Sequence, residues 1–231
     1  DSARLPYGTK SSKTIVRYSL QCAGFLASKG IDMLVVACNT ASAHAIDALK
    51  IEFDFPVIGV VEAGARAVVE TGGKRVGVIG TPSTIKSRAY DHAIKSLNSD
   101  VEIFSQACPL FVPLVEEGWF DNEIAEQVAR RYLDALIEER IDTLLLGCTH
   151  YPLLKGVISK VTGGGVRIID SANSTAKVVS EIIGDGYNRE REQSIAYYLS
   201  DLSDHFIEIG EVILGRRSEE RRVGKECFVP C

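Results

Sequence analysis

Short runs of β-branched and aliphatic residues alternate along the chain with longer stretches in which apolar residues recur at helical spacing. This alternation is typical of a parallel sheet flanked by helices, so the pattern predicts an α/β fold. The strands are predicted at residues 33–37, 57–61, 75–80, 101–104, 143–147, 166–169 and 195–199. The clearest helices are predicted at residues 12–29 and 122–140, the first starting after Ser11 or Ser12 and stopping at Gly30.

The order of these elements predicts a nested architecture of two similar lobes, each a mostly parallel sheet flanked by helices, with the active site in the cleft between them. We expect residues 1–65 and 175–215 to form the first lobe and residues 66–174 to form the second. Residues 216–231 contain the basic run RRSEERRVGK and are expected to be a tail outside both lobes.

Composition narrows the class of protein. The chain has 231 residues, a formal net charge of −5 and 45% hydrophobic residues. A negative charge argues against nucleic-acid binding as the main role, and no apolar run approaches the roughly 18–20 residues that span a bilayer. With no leader-like segment at the start, we expect a cytoplasmic protein. The six cysteines are dispersed and include no CxxC pair, which argues against a disulfide framework or a metal site.

An internal repeat is the most informative feature of the chain. The segment IDMLVVACNT at residues 31–40 aligns without gaps to IDTLLLGCTH at residues 141–150. Each copy predicts a strand, then a cysteine (Cys38 or Cys148), then a helix. Ligands bind at the carboxyl ends of parallel strands, where helix amides point outward. A helix N-terminus can also lower a thiol pKa from about 8.5 toward neutrality, which makes proton transfer feasible.

A single buried cysteine is usually a small packing residue, so each one alone carries little functional weight. The duplication favours a functional pair, because two thiols on either side of a planar intermediate can invert a stereocentre by proton abstraction and donation. His150 lies two residues after Cys148 and is placed to assist that thiol. By contrast, Cys22, His44 and Cys108 are expected to pack in the fold, and Thr81 to cap a helix.

Four blocks carry a resemblance to a known family. They are DSARLPYG at 1–8, VVACNTASA at 35–43, CPLFVPLVEEG at 108–118 and LLLGCTHYP at 144–152. Together they resemble the glutamate racemases of the aspartate/glutamate racemase superfamily, over residues 1 to about 214. The resemblance implies a cofactor-independent enzyme that interconverts L- and D-glutamate, supplies D-glutamate for peptidoglycan, needs no metal, and forms a homodimer.

The resemblance also implies a set of site residues. Cys38 would abstract the proton from D-glutamate and Cys148 would abstract it from the L isomer, with His150 assisting Cys148. Glu116 matches an acidic residue that lines the family's cleft. The positions that match the family's substrate-binding residues are Tyr7, Gly8, Asn39, Thr40, Thr149 and His150.

Two departures from the family pattern leave alternatives open. The family begins with a strand and a glycine-rich Asp-Ser turn that supports the first cysteine, and this sequence starts after that element. The tail that ends in CFVPC also has no family counterpart, so Cys227 and Cys231 are given no catalytic role. The alternatives are therefore an aspartate racemase or related superfamily member, or an inactive truncated fragment.

Overall fold

The computed structural model describes residues 1–184, 195–201 and 210. Within them the strands are β1 Leu34–Val36, β2 Val57–Gly59, β3 Arg75–Gly80, β4 Glu102–Ala107, β5 Thr143–Gly147 and β6 Arg167–Asp170. The α-helices are α1 Ser12–Ala27, α2 Asn39–Glu52, α3 Val60–Glu70, α4 Pro82–Ser87, α5 Ala89–Leu97, α6 Phe111–Glu116, α7 Glu123–Glu138, α8 Lys155–Thr162 and α9 Ser171–Ile183. Short 3-10 helices lie at Ser2–Arg4, Tyr7–Thr9 and Tyr151–Leu154.

The strands form two parallel sheets. One sheet pairs β1 with β2, and the other has the order β4-β3-β5-β6. All of the strand pairs are parallel. The prediction of an α/β fold with parallel sheets flanked by helices is confirmed. Because parallel neighbours end at the same edge, the residues that follow β3, β5 and β6 are brought together by the sheet.

Capping side chains set the helix starts. The Ser11 hydroxyl accepts a hydrogen bond from the backbone N–H of Thr14 and begins α1, and the Asn122 side chain accepts one from Ala125 and begins α7. Gly30 has a φ of +74°, a left-handed conformation that glycine adopts at low cost just past a helix end. Both predicted helices are therefore present, with ends shifted by one or two residues.

One predicted strand is wrong. Residues 195–199 form no strand, and Ile195 and Tyr197 are exposed. An alternating apolar run becomes a strand only when it finds a partner strand and a buried face, and this run has neither among the described residues. The other six predicted strands are present with small changes in their ends.

The four-stranded sheet has a core on each of its faces. Alternate residues of a strand point to opposite faces. Accordingly, Leu144 and Leu146 join the cluster with α7 and α8, whereas Leu145 joins the cluster with α3 and α5. A third cluster packs β1 and β2 against α1 and α2. These clusters hold the carboxyl ends of the strands in fixed positions.

The chain divides into two compact units. Tyr7–Ile182 is one unit and contains both sheets. The other joins Asp1–Pro6 with the described residues from Ile183 onward. In that unit the Ser200 hydroxyl donates to Asp1 Oδ1 at 3.0 Å, and Asp1 also pairs with Arg4 Nε at 2.8 Å. The tail at 216–231, with Cys227 and Cys231, lies outside the described residues.

In the part of the chain that the structure describes, no helix combines the length and the apolar character needed to cross a bilayer.

Candidate active site

Cys38 lies at the start of α2. The strand β1 ends at Val36, and Cys38 takes an extended conformation as the N-cap of the helix that starts at Asn39. Cys38 is exposed, yet the surrounding protein removes enough water from its thiol to raise the pKa above its usual value. The backbone N–H groups of Ala41 and Thr40 act in the opposite direction and lower the pKa by a smaller amount.

Cys148 lies at the end of β5. It is buried, with 7% of its surface exposed, and burial raises the pKa of its thiol to about 12. The backbone N–H of His150 lowers that pKa, while the nearby Cys38 thiol raises it, as does Glu116. The sequence prediction that a helix N-terminus lowers the pKa of these thiols toward neutrality is therefore wrong. Desolvation outweighs the backbone donors at both cysteines.

The two copies of the repeat differ after the cysteine. Cys38 leads directly into α2, whereas Cys148 is followed by a turn, a 3-10 helix and only then α8. Pro152 stands at the start of that 3-10 helix. The prediction of strand, cysteine and helix is thus confirmed for the first copy, and the second copy inserts a turn that contains Thr149 and His150.

His150 lies between Cys148 and Glu116. Its Nδ1 is 3.8 Å from the Cys148 Sγ, and its Nε2 is 3.7 Å from Glu116 Oε1. Burial lowers the pKa of His150, and Glu116 partly offsets this effect. The imidazole is therefore neutral at neutral pH and can accept a proton from Cys148, while Glu116 stabilises the imidazolium that forms.

Three threonine hydroxyls join the start of α2 to the end of β3. Thr40 Oγ1 lies 2.9 Å from Thr81 Oγ1 and 3.0 Å from Thr84 Oγ1. Thr81 also caps α4 through the N–H of Thr84, as the sequence predicts. The Thr40 contacts were missed by sequence reasoning, because they join residues 41 and 44 positions apart.

The turn at Tyr7–Thr9 also lies at the start of α2 and the end of β3. Tyr7 is buried beside Ile15 and Ala41, at the first turns of α1 and α2. Gly8 lies so close to Thr81 that a Cβ at this position would be 2.6 Å from the Thr81 Cβ. Only glycine permits this approach, which brings the backbone of the turn to the end of β3.

The remaining residues of the sequence prediction take different environments. Asn39 is buried, with 2% of its surface exposed, whereas Thr149 is exposed. Cys108 is fully buried in the core, and His44 Nε2 lies 2.9 Å from the Ser83 hydroxyl. Among the described residues, no three His, Cys, Asp or Glu side chains are grouped so as to hold a metal ion.

The two cysteine turns therefore converge on the carboxyl ends of β3 and β5. A family profile described as Asp/Glu/Hydantoin racemase matches residues 1–179, and these residues include both turns. The chain belongs to this family. The match of the Asp/Glu/Hydantoin racemase profile covers both sheets and all the residues of the predicted site.

Individual relatives within the family are similar over most of the chain. A glutamate racemase from Geobacter metallireducens is 53% identical over 93% of this chain and 81% of its own length. A glutamate racemase from Aquifex aeolicus is 48% identical over 99% of this chain and 87% of its own length. The crystal structure of a glutamate racemase from Francisella tularensis in complex with D-glutamate has a TM-score of 0.88 and 37% identity, and the match covers 94% of this chain and 82% of that one.

Proposed function

We propose that this protein is a cofactor-independent glutamate racemase that interconverts L- and D-glutamate with Cys38 and Cys148. The observation that carries the proposal is the convergence of the two cysteine turns at the end of β3. Thr40, two residues after Cys38, contacts Thr81, and Gly147, which precedes Cys148, pairs with Gly80. The choice of glutamate is supported by the similarity to relatives named as glutamate racemases and to a structure that holds D-glutamate. D-Glutamate made in this way would supply peptidoglycan synthesis.

The reaction needs one thiolate and one thiol on opposite faces of the substrate. The thiolate takes the α-proton, the Cα–H bond breaks, and its electron pair moves into the α-carboxylate to give a planar intermediate. The opposing thiol then delivers its proton to the other face of Cα and becomes the thiolate. One turnover therefore inverts the stereocentre and exchanges the protonation states of the two cysteines.

The two thiols lie in different surroundings, so different groups would assist each of them. For L-glutamate, Cys148 would abstract the proton after its own proton passes to the neutral His150, and Glu116 would stabilise the imidazolium. For D-glutamate, Cys38 would abstract the proton, with the N–H groups of Thr40 and Ala41 favouring its thiolate. Gly8, Asn39, Thr40 and Thr149 are proposed to hold the amino acid, with Tyr7 fixing the turn that carries Gly8.

The two-thiol mechanism is tested by replacing each cysteine with alanine. Cys38→Ala and Cys148→Ala should each reduce racemisation, followed by circular dichroism of glutamate, by at least about 10²–10⁴-fold, the usual contribution of one acid or base. Cys22→Ala is the matched control, since Cys22 lies on α1 and belongs to neither cysteine turn, and the activity of this variant should equal that of the unchanged protein. Two-way racemisation in either active-cysteine variant would contradict the mechanism.

The substrate and the competence of the chain are tested in the same assay. Faster turnover of aspartate than of glutamate would replace the proposal with an aspartate racemase. Exchange of the α-proton of both glutamate isomers for deuterium by the 231-residue chain would exclude the inactive-fragment alternative. Absence of exchange with either isomer would support that alternative.

Three further expectations stay proposals: a homodimer, which the family resemblance implies, a cytoplasmic location, and the boundaries of the two lobes. The protein is proposed to act in the cytoplasm. It is also proposed to be a homodimer, and light scattering after gel filtration would test this by measuring its mass. The lobe boundaries at 65/66 and 174/175 are proposed to delimit the two halves of the fold, which limited proteolysis would test by the fragments released.

A further inference from the structure

Tyr90 is a fully buried tyrosine that the proposed reaction does not use. It lies on α5 and joins the core between that helix, α3 and the four-stranded sheet. A tyrosine hydroxyl in such a place needs a hydrogen-bond partner, because an unpaired polar group in the core costs free energy. Its partners connect it to both cysteine turns.

The hydroxyl of Tyr90 reaches the residue that follows Cys38. It donates a hydrogen bond to Asn39 Oδ1, and the two residues are 51 positions apart in the sequence. It also interacts with the side chain of Ser171, which follows β6. The orientation of the Asn39 amide is therefore set by a donor that belongs to another element.

The ring of Tyr90 reaches the residue that precedes Cys148. A Cβ added to Gly147 would be 3.0 Å from Tyr90 Cε2, so the ring lies directly against the last residue of β5. One side chain thus contacts a residue next to Cys38 and a residue next to Cys148.

The Asn39 amide has a second feature that points to a ligand. Asn39 is 2% exposed, and its Nδ2 has no hydrogen-bond partner among the described residues. A buried amide donor without a partner is rare in native proteins and marks a place where a ligand or water accepts the bond. Because Tyr90 donates its hydrogen bond to Oδ1, Nδ2 is the amide atom left to bind a ligand.

We propose that Tyr90 is a positioning residue that holds the Asn39 amide with Nδ2 directed to a carboxylate oxygen of the substrate and keeps the two cysteine turns in register. The inference rests on the proposed function, in which Asn39 contacts the amino acid. It assigns the hydroxyl to the orientation of Asn39 and the ring to the packing of Gly147. The two roles are separable by mutation.

The hydroxyl can perform this role over the working pH range. Burial raises the pKa of Tyr90 far above its ordinary value, so the group stays protonated and remains a donor. The hydroxyl donates its single proton to Oδ1, and Nδ2 then lies on the other side of the amide. The protonated hydroxyl therefore keeps its bond to Oδ1, and Nδ2 remains on the side left for a ligand.

The test is Tyr90→Phe, which keeps the ring against Gly147 and removes only the hydroxyl. We expect KM for both glutamate isomers and the Kd of D-glutamate to rise about tenfold, the effect of losing one hydrogen bond to a charged group. The value of kcat should stay within about threefold, because a contact made equally in the ground state and the transition state changes KM alone. The control is Tyr132→Phe, which removes a hydroxyl that accepts from the backbone N–H of Leu110; its KM should not change.

A double-mutant cycle separates positioning from general packing. In an Asn39→Ala background Tyr90→Phe should change the Kd of D-glutamate no further, because the group that it orients is absent. Equal effects of Tyr90→Phe in both backgrounds would overturn the inference, as would an unchanged Kd in the single variant. Asn39→Ser replaces the alanine variant in the cycle if that variant loses its native circular dichroism.

Binding of D-glutamate, measured by titration calorimetry, keeps this test distinct from that of the proposed function. Tight binding without racemisation by the unchanged chain would overturn the proposed function alone, and the cycle would still decide the role of Tyr90. Normal racemisation with equal Kd values for the unchanged chain and Tyr90→Phe would overturn only the role of Tyr90. Absence of both binding and racemisation would overturn both proposals.

Discussion

Replacing Glu116 with glutamine tests how the Glu116 charge affects His150 in the Cys148 turn. The 3.7 Å between His150 Nε2 and Glu116 Oε1 corresponds to about 1 kcal/mol in water and about 4–5 kcal/mol at an effective dielectric constant of 20. The two side chains are 29% and 36% exposed, so solvent screening keeps the interaction near the lower figure. An energy of about 1 kcal/mol corresponds to about a fivefold change in an equilibrium constant or a rate.

The sign of the change follows from the charges. Glu116 favours the imidazolium and raises the pKa of His150, while burial lowers it by more. Glu116→Gln should therefore lower the pKa of His150 further, because the variant loses this screened interaction. Conversion of L-glutamate needs neutral His150, so activity is lost as the pH falls through this pKa, and the loss should move to lower pH in the variant. At neutral pH the rate should fall by up to about fivefold, because the imidazolium loses its partner.

The measurement is an NMR titration of the imidazole resonances of the four histidines, with His150→Asn used to assign the signal. The matched control is Glu117→Gln, which removes the same charge from the next residue, an exposed one. An unchanged or raised pKa of His150 in Glu116→Gln would refute the reasoning. An equal shift in Glu117→Gln would show that net charge, rather than the Glu116 contact, controls the histidine.

Two further predictions concern stability. Gly147→Ala places a Cβ 2.7 Å from the carbonyl oxygen of Ile79 and should lower the free energy of unfolding by about 1–3 kcal/mol and Tm by about 2–12 °C. The control is Gly156→Ala in α8, where the added Cβ meets open space, so Tm should not fall. Equal Tm values for the two variants would contradict the close packing of β3 on β5. Asp142 accepts hydrogen bonds from two backbone N–H groups at the start of β3, so Asp142→Ala should lower the free energy of unfolding in urea by about 1 kcal/mol. Asp32 is its counterpart in the repeat, and Asp32→Ala should lower that free energy by less. The reverse order would contradict this assignment.

The raised thiol pKa values bear on how the proposed reaction starts. Both thiols have raised pKa values and are protonated at neutral pH, because desolvation is the largest influence on each. A thiolate at Cys148 then has to form by proton transfer to His150, whose own lowered pKa keeps it neutral and able to accept. Cys38 has the N–H groups of Thr40 and Ala41 as its local source of stabilisation. The two directions of the reaction are therefore expected to differ in pH dependence.

The features that the sequence determined by itself are those that depend on neighbouring residues. Periodic apolar spacing located six strands, and Ser11 and Thr81 were recognisable as helix caps, because caps and amphipathic faces are local patterns. The internal repeat placed Cys38 and Cys148 at strand ends. Because β1 and β5 belong to different sheets, strand pairing alone does not bring the two cysteines together. Residues 195–199 were predicted wrongly because periodicity does not report whether a partner strand is present.

The tertiary structure alone decided the chemistry of the site. The thiol pKa values depend on how many distant atoms exclude water, which no local pattern contains. The contact of Thr40 with Thr81 and that of Tyr90 with Asn39 join residues more than forty positions apart. Desolvation and side-chain contact are properties of the packed chain. They reversed the expected direction of the pKa shift at Cys38 and Cys148. Both residues nevertheless lie at the strand ends where the sequence placed them.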